Sequence, residues 1–420
     1  MVGSLVESRL SNGLCLVILP RPQTPVVAIV VLYRVGSQDE LPEQAGLAHL
    51  VEHLAFGTTA ELAREEFDRY CTDAGGTNNA MTTYSYTLYY MVLPAYQVEL
   101  GLWLEASRMR GLRFSDEEFA TQQRVILEEL KETVYNQPYG RWRDVQAAHA
   151  FAPGCPYHWE VHGSLESVAA LRPEQARAFV QQYYRPDNAV VVVCGGVDPL
   201  SVRELAEQLF GEIPRGNSGC PRHTFRPECR RGKVRVSVPD RVPVAAVFLS
   251  FHSGGYTAPE FLELQALADI LGHGRSSRLY RELVLRRGQA SQVGAFLDAR
   301  QWASLLTCYA FAASPEAQAE ALWEALWDEL RQLQREGIRQ DEWQTACNRL
   351  RTAYVELLQH PLGIAQEVAF STVFWGDPER PFRVVEEYAQ LRTDQLQERA
   401  RQLFCPEHSV ATLVVPDSAG

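Results

Sequence analysis

The sequence predicts an α+β protein made of two homologous α/β sandwich-like halves related by internal duplication. The β-branched, apolar pattern of residues 24–33 recurs at residues 242–251, and each copy leads through a glycine-bearing loop into a helix. Each half also places a strand late, at residues 189–193 and 410–415. The repeat is one of element order rather than of residue identity. It therefore indicates two copies of one supersecondary unit.

A stretch without hydrophobic periodicity separates the two halves. Residues 213–232 are rich in Pro, Gly and Arg, a composition typical of an interdomain linker. We therefore expect a first half in residues 1–212, a linker in residues 213–232 and a second half in residues 233–420.

Local patterns in the first half predict its elements in order. Asn12-Gly13 is a hairpin turn signal within residues 7–20, and the β-branched run at residues 26–35 is expected to be a central strand. Residues 77–94, rich in Thr and Tyr, predict one strand at a sheet edge that stops at Pro94. Further helices are predicted at residues 63–74, 95–109, 116–134, 173–184 and 199–210.

The composition excludes several broad classes. Hydrophobic residues make up 46% and charged residues 22%, as in ordinary globular proteins, and the net charge of −12 argues against nucleic acid as a partner. The nine cysteines are scattered without a Cys-x-x-Cys, which favours a reducing compartment, and we expect a cytoplasmic, bacterial-type protein. No apolar run approaches the ~18 residues that a membrane helix needs.

A short motif in an apolar, helix-like run carries the chemistry. His49 and His53 are four residues apart, so on a helix both imidazoles lie on one face and can hold one metal ion. Glu52 lies near the same face and could take a proton from an attacking water. The arrangement His-x-x-Glu-His is the inverted zinc-peptidase motif. The alternative is an amphipathic helix with two chance histidines, and the scarcity of histidine, 10 in 420 residues, disfavours it.

A catalytic zinc site needs a third protein ligand. Local spacing leaves the choice open, because the helix predicted at residues 116–134 offers Glu128, Glu129 and Glu132. His158 and His162 repeat the four-residue spacing, but a proline and a glycine bound their segment. These two histidines are therefore expected to lie in a loop with an ordinary packing role.

Motifs along nearly the whole chain resemble those of the pitrilysin–insulinase family of zinc peptidases, especially short bacterial processing-type peptidases and the mitochondrial processing peptidase β subunit. The matching stretches are residues 11–14, 49–58, 79–82, 124–129, 183–188 and 275–280.

The resemblance implies a ligand set and a mechanism. It makes Glu129 the third ligand of one zinc ion per chain, with His49 and His53, and Glu52 the general base; Glu128 and Glu132 are then surface residues. Residues 1–212 would be the metal-binding catalytic half, and the fold would form half of a peptidase chamber.

Two further sets of residues are carried over from the resemblance. Extended peptides would add to the predicted edge strand at Asn79 and Ala80. Gln122 stands where the family often has Glu, and its amide could still hydrogen-bond a ligand.

One departure concerns substrate binding. The family's Arg and Tyr, seven residues apart, bind the substrate carbonyl and the developing oxyanion; here Val284 and Ser291 occupy those positions. We therefore expect a dimer, with a heterodimer as the sharper hypothesis, in which a homologue without His-x-x-Glu-His supplies the pair. The rival hypotheses are a non-catalytic scaffold subunit and a metal-dependent hydrolase of substrates other than peptides.

Overall fold

The computed structural model describes residues 5–216, 220 and 232–417. These residues divide into two compact units. The first unit contains the described parts of residues 1–130, 161–224 and 355–384, and the second contains those of 131–160, 225–354 and 385–420.

Strands form one sheet in each unit. In the described residues, numbered along the chain, they are β1 (Val6–Arg9), β2 (Cys15–Pro20), β3 (Val26–Tyr33), β4 (Thr77–Thr82), β5 (Thr87–Pro94), β6 (Ala189–Gly195), β7 (Val234–Asp240), β8 (Ala246–Gly254), β9 (Ala290–Asp298), β10 (Ala303–Ala312) and β11 (Ser409–Pro416).

Helices account for most of the remaining regular structure. They are α1 (Leu47–Leu54), α2 (Glu66–Asp73), α3 (Val98–Arg110), α4 (Asp116–Leu130), α5 (Trp142–Ala150), α6 (Leu165–Ala170), α7 (Pro173–Tyr183), α8 (Pro199–Phe210), α9 (Phe261–Gly272), α10 (Ala319–Glu336), α11 (Gln340–Leu357), α12 (Pro361–Trp375), α13 (Val384–Gln390) and α14 (Thr393–Leu403). Two π-helical turns, Lys131–Tyr135 and Tyr280–Arg286, and several 3-10 turns complete the chain.

Five of the six strands of the first sheet have counterparts in the described five-stranded second sheet, and the extra strand is the edge strand β1. The first has the order β1-β2-β6-β3-β5-β4 and the second the order β7-β11-β8-β10-β9. In both, the late strand pairs in parallel on one side, β6 with β2 and β11 with β7, and antiparallel with the long central strand on the other. The predicted α+β class with two related halves is confirmed.

Helices cover both faces of the first sheet. On one face Val30 of β3 and Val192 of β6 pack with Ile364 and Val368 of α12. On the other face α3 approaches at Gly101, where a Cβ atom would lie 2.5 Å from Ile29 Cδ1, so a larger residue would require the Ile29 side chain to move. All residues of β3 after Val26 are thus buried against one layer or the other, which explains the strand's continuous apolar sequence.

The second sheet is covered in the same way. Trp142 of α5 stacks on Phe248 of β8 with ring centroids 4.0 Å apart, and Trp327 of α10 meets Phe251 edge to face at 5.4 Å. Helix α5 belongs to the second unit, although it precedes β6 of the first unit in sequence.

The single strand predicted at residues 77–94 is wrong. Residues 77–94 are not one strand but a hairpin, because the chain turns at residues 83–86 and the Thr83 hydroxyl accepts hydrogen bonds from the turn's backbone amides. Only β4 lies at the edge; β5 is interior.

Most of the predicted linker at 213–232 lies outside the described residues, so the proposed boundaries stay a prediction. In the described residues no helix is long and apolar enough to cross a membrane.

Candidate metal centre

Helix α1 is fixed at both ends. Gly46 precedes it with φ 95°, a left-handed conformation that suits glycine. The buried Glu40 carboxylate accepts hydrogen bonds from Gly46 N at 3.1 Å and Ala48 N at 2.7 Å, and so satisfies amides that a helix start leaves without partners. After the last turn, the buried Arg108 donates from Nε to Ala55 O at 3.2 Å.

Three predicted ligands converge between α1 and α4. Ligand atoms of His49, His53 and Glu129 all lie within 4.8 Å of one another, and His53 Nε2 is 3.6 Å from Glu129 Oε2. Among the residues that the structure describes, this is the one cluster of three or more such side chains with metal-site geometry. Glu128 and Glu132, which local spacing could not separate from Glu129, are exposed.

The electrostatics of this cluster suit a cation. Burial lowers the pKa of His49 to about 3, with the nearby imidazoles of His53 and His162 acting in the same direction. Burial also lowers the pKa of His53, although Glu129 opposes this shift. Both imidazoles are therefore neutral at pH 7, the form that binds metals.

The donors present fit zinc. His49 Nδ1 is buried without a hydrogen-bond partner among the described groups, and a bound cation or an ordered water would satisfy it. Two imidazoles and one carboxylate are a ligand set of catalytic zinc sites, whereas calcium and magnesium prefer oxygen ligands alone.

Glu52 lies on α1 beside the cluster and is held by β4. Thr82, the last residue of β4, donates its hydroxyl hydrogen to Glu52 Oε2. Burial raises the pKa of Glu52, an effect that the Thr82 hydrogen bond partly offsets. The carboxyl group therefore has a preferred position and a proton affinity above that of an exposed glutamate. The sequence reasoning missed Thr82, since nothing in the sequence pairs residues 30 positions apart.

The remaining predicted site residues lie near the cluster or on the sheet edge. The Gln122 side chain forms a hydrogen bond with His53 that raises the pKa of the histidine. This is the effect of a carboxamide oxygen that accepts from the imidazole N–H. Asn79 is exposed and Ala80 half-buried on the edge strand β4. His162, expected to have only a packing role, is close enough for its charge to act on the pKa of His49.

The positions that the resemblance aligns with the family's Arg and Tyr, Val284 and Ser291, lie in the second unit. Val284 is in the π-helical turn Tyr280–Arg286, and Ser291, in β9, donates to Ala312 O at 2.9 Å. The neighbouring arginines are engaged elsewhere, because Arg286 and Arg287 both form ion pairs with Glu282.

Comparisons with known proteins agree with this architecture. A family model described as insulinase (peptidase family M16) matches residues 16–149, and one described as the peptidase M16 inactive domain matches residues 170–350. The two matched ranges thus belong to different models of one family, and the second range begins within the predicted first half.

Relatives and solved structures cover most of the chain. A zinc protease, PqqE, of Helicobacter pylori is 31% identical over 79% of this chain and 75% of its own length. An uncharacterized zinc protease of Rickettsia felis is 26% identical over 94% of both chains. The crystal structure of a protease from Helicobacter pylori superposes with a TM-score of 0.94 at 26% identity, over 99% of this chain and 100% of that one.

Proposed function

This chain belongs to peptidase family M16, the insulinase family, and from that premise we propose that it is a zinc-dependent endopeptidase of extended or unfolded peptides. The observation that carries the proposal is the convergence of His49, His53 and Glu129 beside the buried Glu52. The three ligands would hold one zinc ion per chain and leave one coordination position open. When bound, zinc supplies Lewis acidity, which polarises a carbonyl group and lowers the pKa of water.

Glu52 is the proposed general base. It would take the proton of the attacking water and later give it to the leaving amine. Its burial supports this role, because a carboxylate with a raised pKa exchanges protons more readily near neutral pH. The Thr82 hydroxyl occupies one side of Oε2 and so limits the orientations of the carboxylate.

The edge strand β4 is the proposed substrate platform. One side of β4 pairs with β5, and in the described sheet no strand pairs with its other side. An extended peptide could add to that side through backbone hydrogen bonds near Asn79 and Ala80. Because backbone pairing reads little sequence, we expect broad selectivity for unfolded peptides.

We further propose that activity needs a partner chain. Neither Val284 nor Ser291 can stabilise an oxyanion as an Arg/Tyr pair does, and Arg286 and Arg287 are ion-paired with Glu282. A homologue that carries the Arg and Tyr would complete the site in a heterodimer.

The test measures zinc content and peptide hydrolysis on the same sample, with the chain alone and with such a homologue. About one zinc per chain, little hydrolysis alone and restored hydrolysis with the homologue are the expected results. Full hydrolysis by the lone chain would disprove the need for a partner, and failure to take up supplied zinc would disprove the peptidase proposal.

The scaffold hypothesis is separated from the enzyme by Glu52→Gln. In an enzyme this variant should keep its zinc and lose about 10²-fold to 10⁴-fold in rate, the usual contribution of a general base. In a scaffold subunit no measured property should change.

A further inference from the structure

The second unit contains a charged cleft that the peptidase proposal does not use. It has a volume of about 390 Å³ and lies where the turn Tyr280–Arg286, the C-terminal part of α10 and the start of α11 meet. Its size falls in the range of small-molecule sites. Four arginines and four glutamates line it, so the lining carries no net formal charge: Arg278, Arg281, Arg286, Arg339, Glu282, Glu329, Glu336 and Glu342.

Three of the four carboxylates have partners. Glu282 is ion-paired with Arg286 and Arg287, and Glu342 accepts from Arg278 and Arg281, each at 2.6 Å. Glu336 accepts from the Gln332 amide at 3.1 Å. These contacts explain the presence of those three acids without any ligand.

Glu329 is the exception. Its side chain lines the cleft and is 5% exposed, yet it accepts no hydrogen bond from the described residues. Burial raises the pKa of Glu329 to about 7, and the charge of Arg278 only partly opposes this shift. The Glu329 oxygens are not among the side-chain atoms that are sealed from solvent without a partner, so water or a bound group in the cleft can donate to them.

Arg278 adds a positive charge to the same wall. It is 7% exposed, and its Nη2 atom donates to Gly337 O and to Glu342 Oε2, each at 2.6 Å. Its Nε atom is sealed from solvent and has no hydrogen-bond partner among the described groups, so Arg278 acts on the cleft through its charge rather than through this atom. Arg281, at 41% exposure, lies beside it at the more open side of the cleft.

We propose that this cleft binds the head group of a free α-amino acid, with the ammonium on Glu329 and the carboxylate facing Arg278 and Arg281. A zwitterion can place its ammonium on Glu329 and its carboxylate on the arginines, whereas a simple cation or anion engages only one of these groups. A free amino acid carries both charges in one small head group, so both can enter a single cleft, whereas a peptide carries its terminal charges on different residues. This inference does not depend on the proposed peptidase activity.

The experiment is a binding titration of the intact chain with glycine, which is the head group alone. Acetate lacks the ammonium and methylamine lacks the carboxylate. Glycine should bind at millimolar concentration, and each single-charge analogue should bind about tenfold more weakly or worse, since one charged hydrogen-bonding group is missing.

Variants locate the site. Glu329→Gln removes the charge with little change in shape and should weaken glycine binding about tenfold or more; Arg281→Gln tests the carboxylate end and should weaken it similarly. Glu324→Gln, at an exposed position of the same helix α10, is the matched control and should change nothing. Thermal unfolding of each variant checks that the fold is retained.

Three results would overturn the proposal. One is no glycine binding at millimolar concentration, which would mean that ordered water occupies the cleft. Another is methylamine binding as tightly as glycine, which would indicate a simple cation site. The third is glycine affinity unchanged in both Glu329→Gln and Arg281→Gln.

Discussion

The two units place different chemistry at equivalent positions of the same fold. In the first, α1 follows the central strand β3 and meets α4 through His53 and Glu129, whose groups lie 3.6 Å apart. In the second, α9 follows β8 and meets α11 through Asp269, an acceptor for Arg349 Nε at 3.1 Å. An Arg–Asp ion pair has no net charge and needs no further ligand. Two neutral imidazoles beside a carboxylate instead carry a net negative charge and free lone pairs that can coordinate a cation. The fold tolerates both, so the choice of side chains alone decides which unit can bind a cation.

Zinc removal is the strongest way to test this difference. Zinc should stabilise the first unit by about 4 kcal/mol when its free concentration is about a thousand times its dissociation constant. Hydrogen–deuterium exchange with and without a chelator measures this as faster local exchange in α1 and α4 of the stripped protein. Exchange in α9 and α11 should not change. If exchange became equally faster in both pairs of helices, zinc would stabilise the whole chain, and the two units would not differ in metal binding.

Glu129→Gln should have the next largest effect. It removes the carboxylate ligand and should lower zinc affinity more than about a hundredfold, beyond the 10-fold to 100-fold loss typical of residues that only support a ligand. Competition with a coloured chelator measures the affinity. Glu128→Gln is the matched control, because it makes the same change on the exposed neighbour. If the control were to lose as much affinity, the ligand assignment would be wrong.

Glu129 shows which part of the candidate site could not be predicted from the sequence pattern alone. The spacing of His49, Glu52 and His53 fixes a two-histidine face because all three residues lie within two helical turns. The proposed third ligand comes from a helix more than seventy residues away, where Glu128, Glu129 and Glu132 are locally equivalent. Only the packing of α4 on α1 brings Glu129 to within 3.6 Å of His53, so Glu129 was selected from the sequence by family resemblance alone.

The covering helices show a similar limit in the fold. The order of the main strands along the chain and the duplication followed from β-branched runs and glycine loops. The assignment of α12 to the first unit and of α5 to the second did not, since an apolar helix carries no signal for which of two similar sheets it will cover. Long-range packing also decided that residues 77–94 form a hairpin, with β5 inside the sheet.

The Asp269–Arg349 pair offers a smaller test on the second unit. Burial raises the pKa of Asp269 and Arg349 offsets this only in part, so the pair itself adds little net stability. Asp269→Asn should nevertheless reduce the free energy of unfolding by about 1–2 kcal/mol, because it leaves Arg349, which is 27% exposed, without its counter-charge.

A double replacement of this pair separates the two contributions. Asp269→Leu with Arg349→Met removes both charges and should bring stability back near that of the parent. Urea unfolding monitors both variants. Zinc affinity should stay unchanged throughout, and a change in it would show that the two sites are coupled.

Gln122→Ala, in the first unit, should produce the smallest effect, a modest loss of zinc affinity. The amide orients His53, and loss of such an outer partner lowers metal affinity about tenfold. Gln122→Glu should keep the affinity, since a carboxylate accepts the same hydrogen bond. Gln123→Ala is the neighbouring control: its amide donates to Val168 O at 2.8 Å, so this variant should lower stability and leave zinc affinity unchanged. If Gln122→Ala also leaves the zinc affinity unchanged, packing alone orients His53. The metal site would then depend only on its three ligands and on the fold that brings them together.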